Sequence, residues 1–324
     1  MDMTSVEEVL MSADPDTWRP GDSWLAGGTV LLSYGTDITR GRPRRLLDLT
    51  GAGWPSVVWH AEGESEAGNE DAGPRPGQEV WPLPALELAA TCRVAEVYAL
   101  PDAADLPLPR DLLPGLDLFR PCCDSFVASY KIWNVSTVGG NVATALPAGP
   151  MTSLLAGLDA VAVLLGPEGT RRELPVADLV LGEAHTALRG GELIRCFRIP
   201  VGALRQPSAF RRISLTERGR SAALLIGRRT GPDRLRIVVT ASTRRPLVVD
   251  LGGAGQPPAS GDGWRSAVDT AVADGGWHDD VHGAPDWRRA MTHRLGDEIL
   301  AELLPGMAGA ARTTGDITVE RTTR

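Results

Sequence analysis

Cysteine is scarce in this chain: there are four in 324 residues, at positions 92, 122, 123 and 196, with no framework spacing. Adjacent Cys122 and Cys123 are poorly placed to bridge one another or to form a C-x-x-C site. A reduced, cytoplasmic setting is therefore expected. No uninterrupted apolar run is long enough to cross a bilayer. The first residues, Met1-Asp2-Met3-Thr4-Ser5-Val6-Glu7-Glu8, are acidic, with no basic stretch ahead of an apolar one, so neither export nor membrane insertion is expected. A net charge of −8 speaks against a general nucleic-acid binder.

Several catalytic signatures are missing too. There is no G-x-x-x-x-G-K-[ST] phosphate loop and no G-x-G-x-x-G after a strand, which disfavours a P-loop enzyme and a Rossmann-type NAD domain. No G-x-S-x-G accompanies His60, His185 or His293, so a hydrolase has no visible nucleophile. His278 and His282 stand four apart, but Gly275-Gly276 precedes them and Gly283-Ala284-Pro285 follows. A metal-binding helix is improbable there, and a polar loop is the better reading.

The apolar content of 43% suits a soluble protein, and the length allows two or three domains with proper cores. Thr4–Leu10 has the pattern of a capped helix start. Trp24-Leu25-Ala26 reads as a strand running into Gly27-Gly28, with Leu31-Leu32 opening a helix and Arg44–Leu49 forming a second strand. Val57–His60 and Leu86–Ala90 are further strands, separated by a polar, acidic, Gly/Pro-rich loop over Ala61–Glu79. Thr91 caps the next helix, and Asp111–Leu118 and Cys123–Val127 have helical spacing. Leu154–Leu165 divides into a helix ending near Leu158 and a buried strand from Ala160, turning back at Gly166–Gly169 into Arg171–Leu174. Val176–Leu181 is short and helical or irregular. Glu192–Ile199 alternates like a strand and stops at Pro200. Beyond it, Ala209–Leu215, Arg234–Ala241 and Pro246–Leu251 are strands, and Ser221–Arg229 is a strand or a short helix. Trp264–Ala273 and Asp286–Leu304 are helices.

Two diglycine loops carry the candidate chemistry. Ala26-Gly27-Gly28-Thr29-Val30 follows a strand, where bare backbone can approach an anion and point N–H groups at it. Thr137-Val138-Gly139-Gly140-Asn141 offers a hydroxyl, bare backbone and a side-chain amide able to fasten the loop. None of these residues is charged, so a dinucleotide diphosphate would be held chiefly by backbone dipoles.

The run Trp133-Asn134-Val135-Ser136-Thr137-Val138-Gly139-Gly140-Asn141, with Pro147-Ala148-Gly149 and Leu158-Asp159-Ala160, resembles the flavin-binding medium subunit of molybdenum hydroxylases, the group of carbon monoxide and xanthine dehydrogenases. Leu25–Thr29 looks like that family's pyrophosphate loop, and Leu47-Asp48-Leu49 matches its following strand. Leu86–Val97, Glu192–Pro200 and Arg218-Gly219-Arg220-Ser221-Ala222 are similar to later family segments. The resemblance implies an α+β protein: a two-subdomain FAD-binding fold of the vanillyl-alcohol-oxidase type (residues 1–55 and 56–202), then a C-terminal domain of sheet plus helices (203–306) and a disordered tail (307–324).

It also implies non-covalent FAD, held by Ala26–Val30 and Thr137–Asn141, with Ile194 packing on the cofactor and Arg211 placing a cation near it. None of these acts as an acid or base. Electrons would come from a 2Fe-2S small subunit, fed by a molybdopterin-binding large subunit, and leave to an external acceptor. Without a cysteine cluster here, the iron–sulfur centres belong to partner chains. Three positions depart from the family pattern: Val30 follows Thr29 where Asp is usual, Trp133 replaces an Arg, and Pro150 replaces an Asp that commonly contacts the cofactor. The second reading that Pro150 sustains is a flavin-poor homologue serving as an assembly or scaffold subunit.

Overall fold

The computed structural model describes residues 6–33, 43–61, 84–272 and 276–305. The acidic stretch after Ala61, the tail after residue 306 and the proposed continuation of a helix past Ser33 lie outside these residues.

Strands β1 (Glu8–Met11), β2 (Asp22–Leu25) and β3 (Arg45–Asp48) form a small parallel sheet with β3 in the middle. Leu46 and Leu47 of β3 are fully buried. The capped helix expected over Thr4–Leu10 is not what forms, because Glu8–Met11 is a strand. Val9 and Met11 of this edge strand remain exposed. It is held by its backbone ladder to β3 rather than by an apolar face, and side-chain periodicity does not report such pairing. After β2 the chain turns, with the Leu32 amide on Gly28 O at 2.8 Å and the Ser33 amide on Val30 O at 2.9 Å.

The second sheet is antiparallel throughout, in the order β4 (Val57–His60), β5 (Ala85–Ala89), β10, β6, β7. Between β5 and β6 (Val161–Leu165) run five helices: α1 (Val94–Ala99), α2 (Phe119–Asp124), α3 (Tyr130–Trp133), α4 (Val138–Thr144) and α5 (Pro150–Gly157). The hairpin from β6 to β7 (Arg171–Pro175) turns through Glu168 and Gly169, both at positive φ. Then follow α6 (Val176–Leu179), the small pair β8 (Val180–Gly182) and β9 (His185–Thr186), and the long β10 (Leu193–Pro200).

Helix α1 is capped two residues later than expected. Thr91 and Cys92 lie in a turn, and the Glu96 carboxylate accepts the Arg93 amide at 2.7 Å. The expected helix over Asp111–Leu118 is instead two 3-10 turns, Arg110–Leu112 and Pro114–Leu118, since Pro114 interrupts α-helical bonding. On one face of the sheet, Leu86, Leu88, Phe197 and Ile199 pack under the helices. Between them along the strands, Glu87 and Arg198 pair across the other face at 3.0 Å, with both side chains almost completely buried.

After α7 (Val201–Leu204) comes an antiparallel meander: β11 (Ser208–Ile213), β12 (Ala223–Arg229), β13 (Leu235–Thr240) and β14 (Leu247–Leu251). Helices α8 (Gly261–Val272) and α9 (Pro285–Leu303) cover one face. Gly296 of α9 is a glycine by necessity, because a Cβ there would stand 2.0 Å from the buried Trp264 ring. Helix α5 covers the opposite face, so β12 is sandwiched. Leu224 and Ile226 join the core of the second sheet, while Ala223 and Leu225 join that of α8 and α9. The His278–His282 stretch is a loop. Its His278 ring lies 3.3 Å from Asp280, which in turn pairs with the buried Arg288.

Candidate cofactor cleft

Two segments meet at the cleft because β2 delivers one and the start of α4 delivers the other. Gly27 has no room for a side chain: an added Cβ would fall 2.0 Å from Val135 O, backbone of the opposite segment. Gly28 lies at φ +68°, a conformation that L side chains rarely adopt. The Thr29 and Ser136 hydroxyls join across the gap at 3.1 Å.

The two loops use their backbones differently. In the second, every amide but that of Thr137 is already taken. Val138 donates to Cys92 O at 2.8 Å, Gly139 to Ala90 O at 2.9 Å and Asn141 to Thr137 O at 3.0 Å. Gly140 donates to the Thr137 hydroxyl at 3.1 Å, an ordinary helix N-cap. In the first, the amides of Gly27, Gly28, Thr29 and Val30 have no protein acceptor among the described residues. The first loop thus holds most of the free backbone donors for an anion, and the second adds only the Thr137 amide among the described residues. The second contributes shape and the Asn141 side chain. Asn141 Oδ1 accepts the Met151 amide at 3.0 Å and so caps α5, which leaves its NH2 group for other partners.

Both loops open on a cavity of about 850 Å³. Ala26, Gly27, Gly28, Thr29 and Val30 line it, as do Thr137, Gly140 and Asn141. Val138 and Gly139 do not. Gly139 is pressed against β5, where an added Cβ would meet Ala90 Cβ at 2.6 Å and Ala90 O at 2.8 Å. A Cβ on Gly140 would meet only the Thr137 hydroxyl, at 2.9 Å, and would otherwise occupy the cleft.

Two further candidate residues stand away from the cavity lining. Ile194, on β10, is buried in the core and outside the cavity lining. Arg211 is held on α9 by Glu298 at 3.1 Å and Glu302 at 2.6 Å, and it does not reach the cleft. The cleft does contain cations that the diglycine reading did not assign, Arg189 and Arg220, and two indoles, Trp18 and Trp24. The Trp24 indole N–H is buried without a partner among the described residues. Arg220 lies inside the Arg218–Ala222 segment singled out in the sequence, but a contact between a loop and a cleft leaves no local pattern.

Both acids that line the cavity are held as carboxylates. Asp22 is pulled below its ordinary range mainly by the Arg45 guanidinium, 2.6 Å away. Burial pushes Glu192 up, but the Arg172 guanidinium at 2.7 Å and the Arg189 amide outweigh it and hold the carboxyl low. Among the described residues there is no group of three or more His, Cys, Asp or Glu able to hold a metal ion, and no helix long and apolar enough to cross a membrane.

The described residues thus set a strand-to-loop amide cradle opposite a capped helix start, between two sheets. Residues 86–202 match the family described as the FAD binding domain in molybdopterin dehydrogenase. The carbon monoxide dehydrogenase medium chain of Afipia carboxidovorans is 39% identical over 75 residues, 23% of this chain, and the match spans about a quarter (26%) of that relative's length. Among solved structures, the reconstituted carbon monoxide dehydrogenase from Oligotropha carboxidovorans superposes with a TM-score of 0.67 at 22% identity, covering 94% of this chain and 98% of that one. Quinoline 2-oxidoreductase from Pseudomonas putida 86 gives 0.63 at 18% identity, covering 93% and 97%. The α+β fold of the chain is that of these structures.

Proposed function

We propose that the chain is the FAD-carrying electron-transfer subunit of a molybdenum hydroxylase. Four amides on Gly27–Val30 with no acceptor among the described residues, facing a helix start with an open Gly140, carry this reading. Such a cradle suits a diphosphate, whose charge is met by backbone dipoles at little reorganisation cost. When bound, FAD supplies the redox chemistry, taking up electrons and passing them on. The chain's own part is to bind and orient it. Gly27 lets the two loops approach, the Thr29–Ser136 bridge keeps them closed, and Asn141 fixes the α4–α5 corner while offering its amide to the cleft.

In this reading the molybdopterin centre and the 2Fe-2S clusters sit on large and small partner subunits, and an external acceptor takes the electrons. The sheets serve as domains divided near residues 55 and 202. A flavin-poor scaffold subunit is the competing reading, favoured by Pro150 at the first turn of α5 within the cleft wall. Purified full-length protein decides between them. A yellow protein that releases FAD on heating is expected. A colourless protein that stays colourless through FAD titration would sink the flavoprotein assignment.

A further inference from the structure

The chain as a whole is acidic, at −8, yet its cleft is not. Four charged residues line it: Asp22, Glu192, Arg189 and Arg220. Both acids are already neutralised from behind, Asp22 by Arg45 and Glu192 by Arg172. Among the described residues, neither the Arg189 nor the Arg220 guanidinium has a hydrogen-bonded or ion-paired partner. Two arginines with no charge partner among the described residues thus border one cavity in a negative molecule.

These arginines are presented on anchored turns. Arg189 begins a turn closed by its own amide on Glu192 Oε2 at 2.7 Å and by the Glu192 amide on Arg189 O at 3.1 Å. The turn's Gly191, at φ +81°, packs against Trp18. Arg220 stands in the loop between β11 and β12. Arg212 binds the Ser221 hydroxyl at 2.7 Å and Gly219 O on either side of it, and Arg288 grips Ala222 O at 2.7 Å. One cation comes from the turn before β10 and the other from the C-terminal sheet, so they reach the cavity from separate parts of the fold.

We propose that Arg189 and Arg220 form a cationic clamp across the cleft, supplying the countercharge for the diphosphate of a dinucleotide whose phosphates the neutral Gly27–Val30 amides cradle. This rests on the FAD reading above and deepens it: retention is electrostatic as well as dipolar, and the C-terminal domain takes part in it. Charge-assisted contacts from a preorganised guanidinium lose little entropy on binding.

The test is titration of the deflavinated full chain with FAD and, separately, with riboflavin, followed by flavin fluorescence at low and high salt. Arg189→Gln and Arg220→Gln are each expected to weaken FAD by about three- to tenfold at low salt, with a shallower salt dependence. The double variant should combine both losses. Arg220→Lys should bind within about twofold of wild type, and Arg218→Gln, outside the cleft, should leave FAD affinity unchanged. Riboflavin, which has the ring and no phosphate, should bind all variants alike. A double variant with wild-type FAD affinity and salt slope overturns the clamp while leaving the flavoprotein reading intact. Equal losses for riboflavin and FAD overturn it as well, since the effect would not be on the diphosphate. Failure of the wild-type chain to take up FAD at any salt overturns both.

Discussion

Gly139 and Gly140 are neighbours, yet their replacement by alanine is predicted to fail in opposite ways. At Gly139 the new Cβ meets the Ala90 Cβ at 2.6 Å and the Ala90 carbonyl oxygen at 2.8 Å. The second is backbone of the turn after β5 and cannot rotate away. Relief requires α4 to back off, which stretches the Gly139 N to Ala90 O bond of 2.9 Å. Overpacking of this kind costs about 1–3 kcal/mol, and weakening the hydrogen bond adds about 0.5–1.5 kcal/mol. Better helix propensity returns about 1 kcal/mol. The net loss is about 1–3 kcal/mol, and at roughly 2–4 °C per kcal/mol the melting temperature falls by several degrees. At Gly140 the Cβ meets only the Thr137 hydroxyl. The helix gain and a perturbed cap nearly cancel, each about 1 kcal/mol, so stability stays close to wild type while the methyl group occupies the cleft. The assay is a thermal melt with and without FAD, plus the flavin-to-protein absorbance ratio after gel filtration. Gly139→Ala should melt early, and Gly140→Ala should melt normally but lose flavin. A Gly140→Ala protein with full flavin content would refute the placement of the diphosphate. A Gly139→Ala protein that melts like wild type would refute the packing account.

Other outcomes follow from buried charge and burial. Burial raises the Glu87 carboxyl, but bonding to Arg198 and the field of Arg195 outweigh it and leave the group below its ordinary value of 4.5. Its stabilisation is therefore complete above that value and is lost as pH falls through the lower, folded one. Glu87→Gln should cost about 3 kcal/mol at neutral pH and flatten the decline in melting temperature toward acid; an unchanged decline would assign the acid sensitivity elsewhere. Arg288 donates to Gly283 O at 2.8 Å, to Ala222 O at 2.7 Å and to Ala241 O, and pairs with Asp280. Arg288→Met should orphan these groups and cost about 3–5 kcal/mol in a urea melt, and a loss under 1 kcal/mol would contradict it. All four thiols are buried. Burial, with help from Asp124, pushes Cys123 up to about 12, and burial raises the others as well. Native protein should therefore react with a thiol reagent only on unfolding; rapid native labelling would speak against this core.

The sequence made much of the site legible and some of the fold misleading. Gly27, Gly28, Gly140 and Asn141 stand out because bare backbone beside a strand end or helix start has few other uses. That the second loop spends its amides internally could not be read, since Ala90 and Cys92 lie some fifty residues away in the chain and the pairing is set by the sheet. The helix pattern at Thr4–Leu10 was outweighed by ladder pairing with β3. Ser221–Arg229 was ambiguous because β12 is buried on both faces and shows no alternation. Arg211 and Arg220 lie nine residues apart in one basic segment, and only the course of the β11–β12 loop decides which of them reaches the cleft.

The division near residue 202 is convenient along the sequence but is not a mechanical seam. Helix α5 begins at the cleft wall with Pro150 and ends against β12, where Gly157 abuts Ile226 and its carbonyl accepts the Arg228 guanidinium at 2.6 Å. Midway, Ser153 and Thr240 share a hydroxyl contact at 2.7 Å. The wall of the cleft is therefore a strut footed on the C-terminal sheet. Loosening the footing, by Ile226→Ala or Thr240→Val, should shake the wall at its far end, and a fragment ending at 202 would have a cleft with one side unsupported.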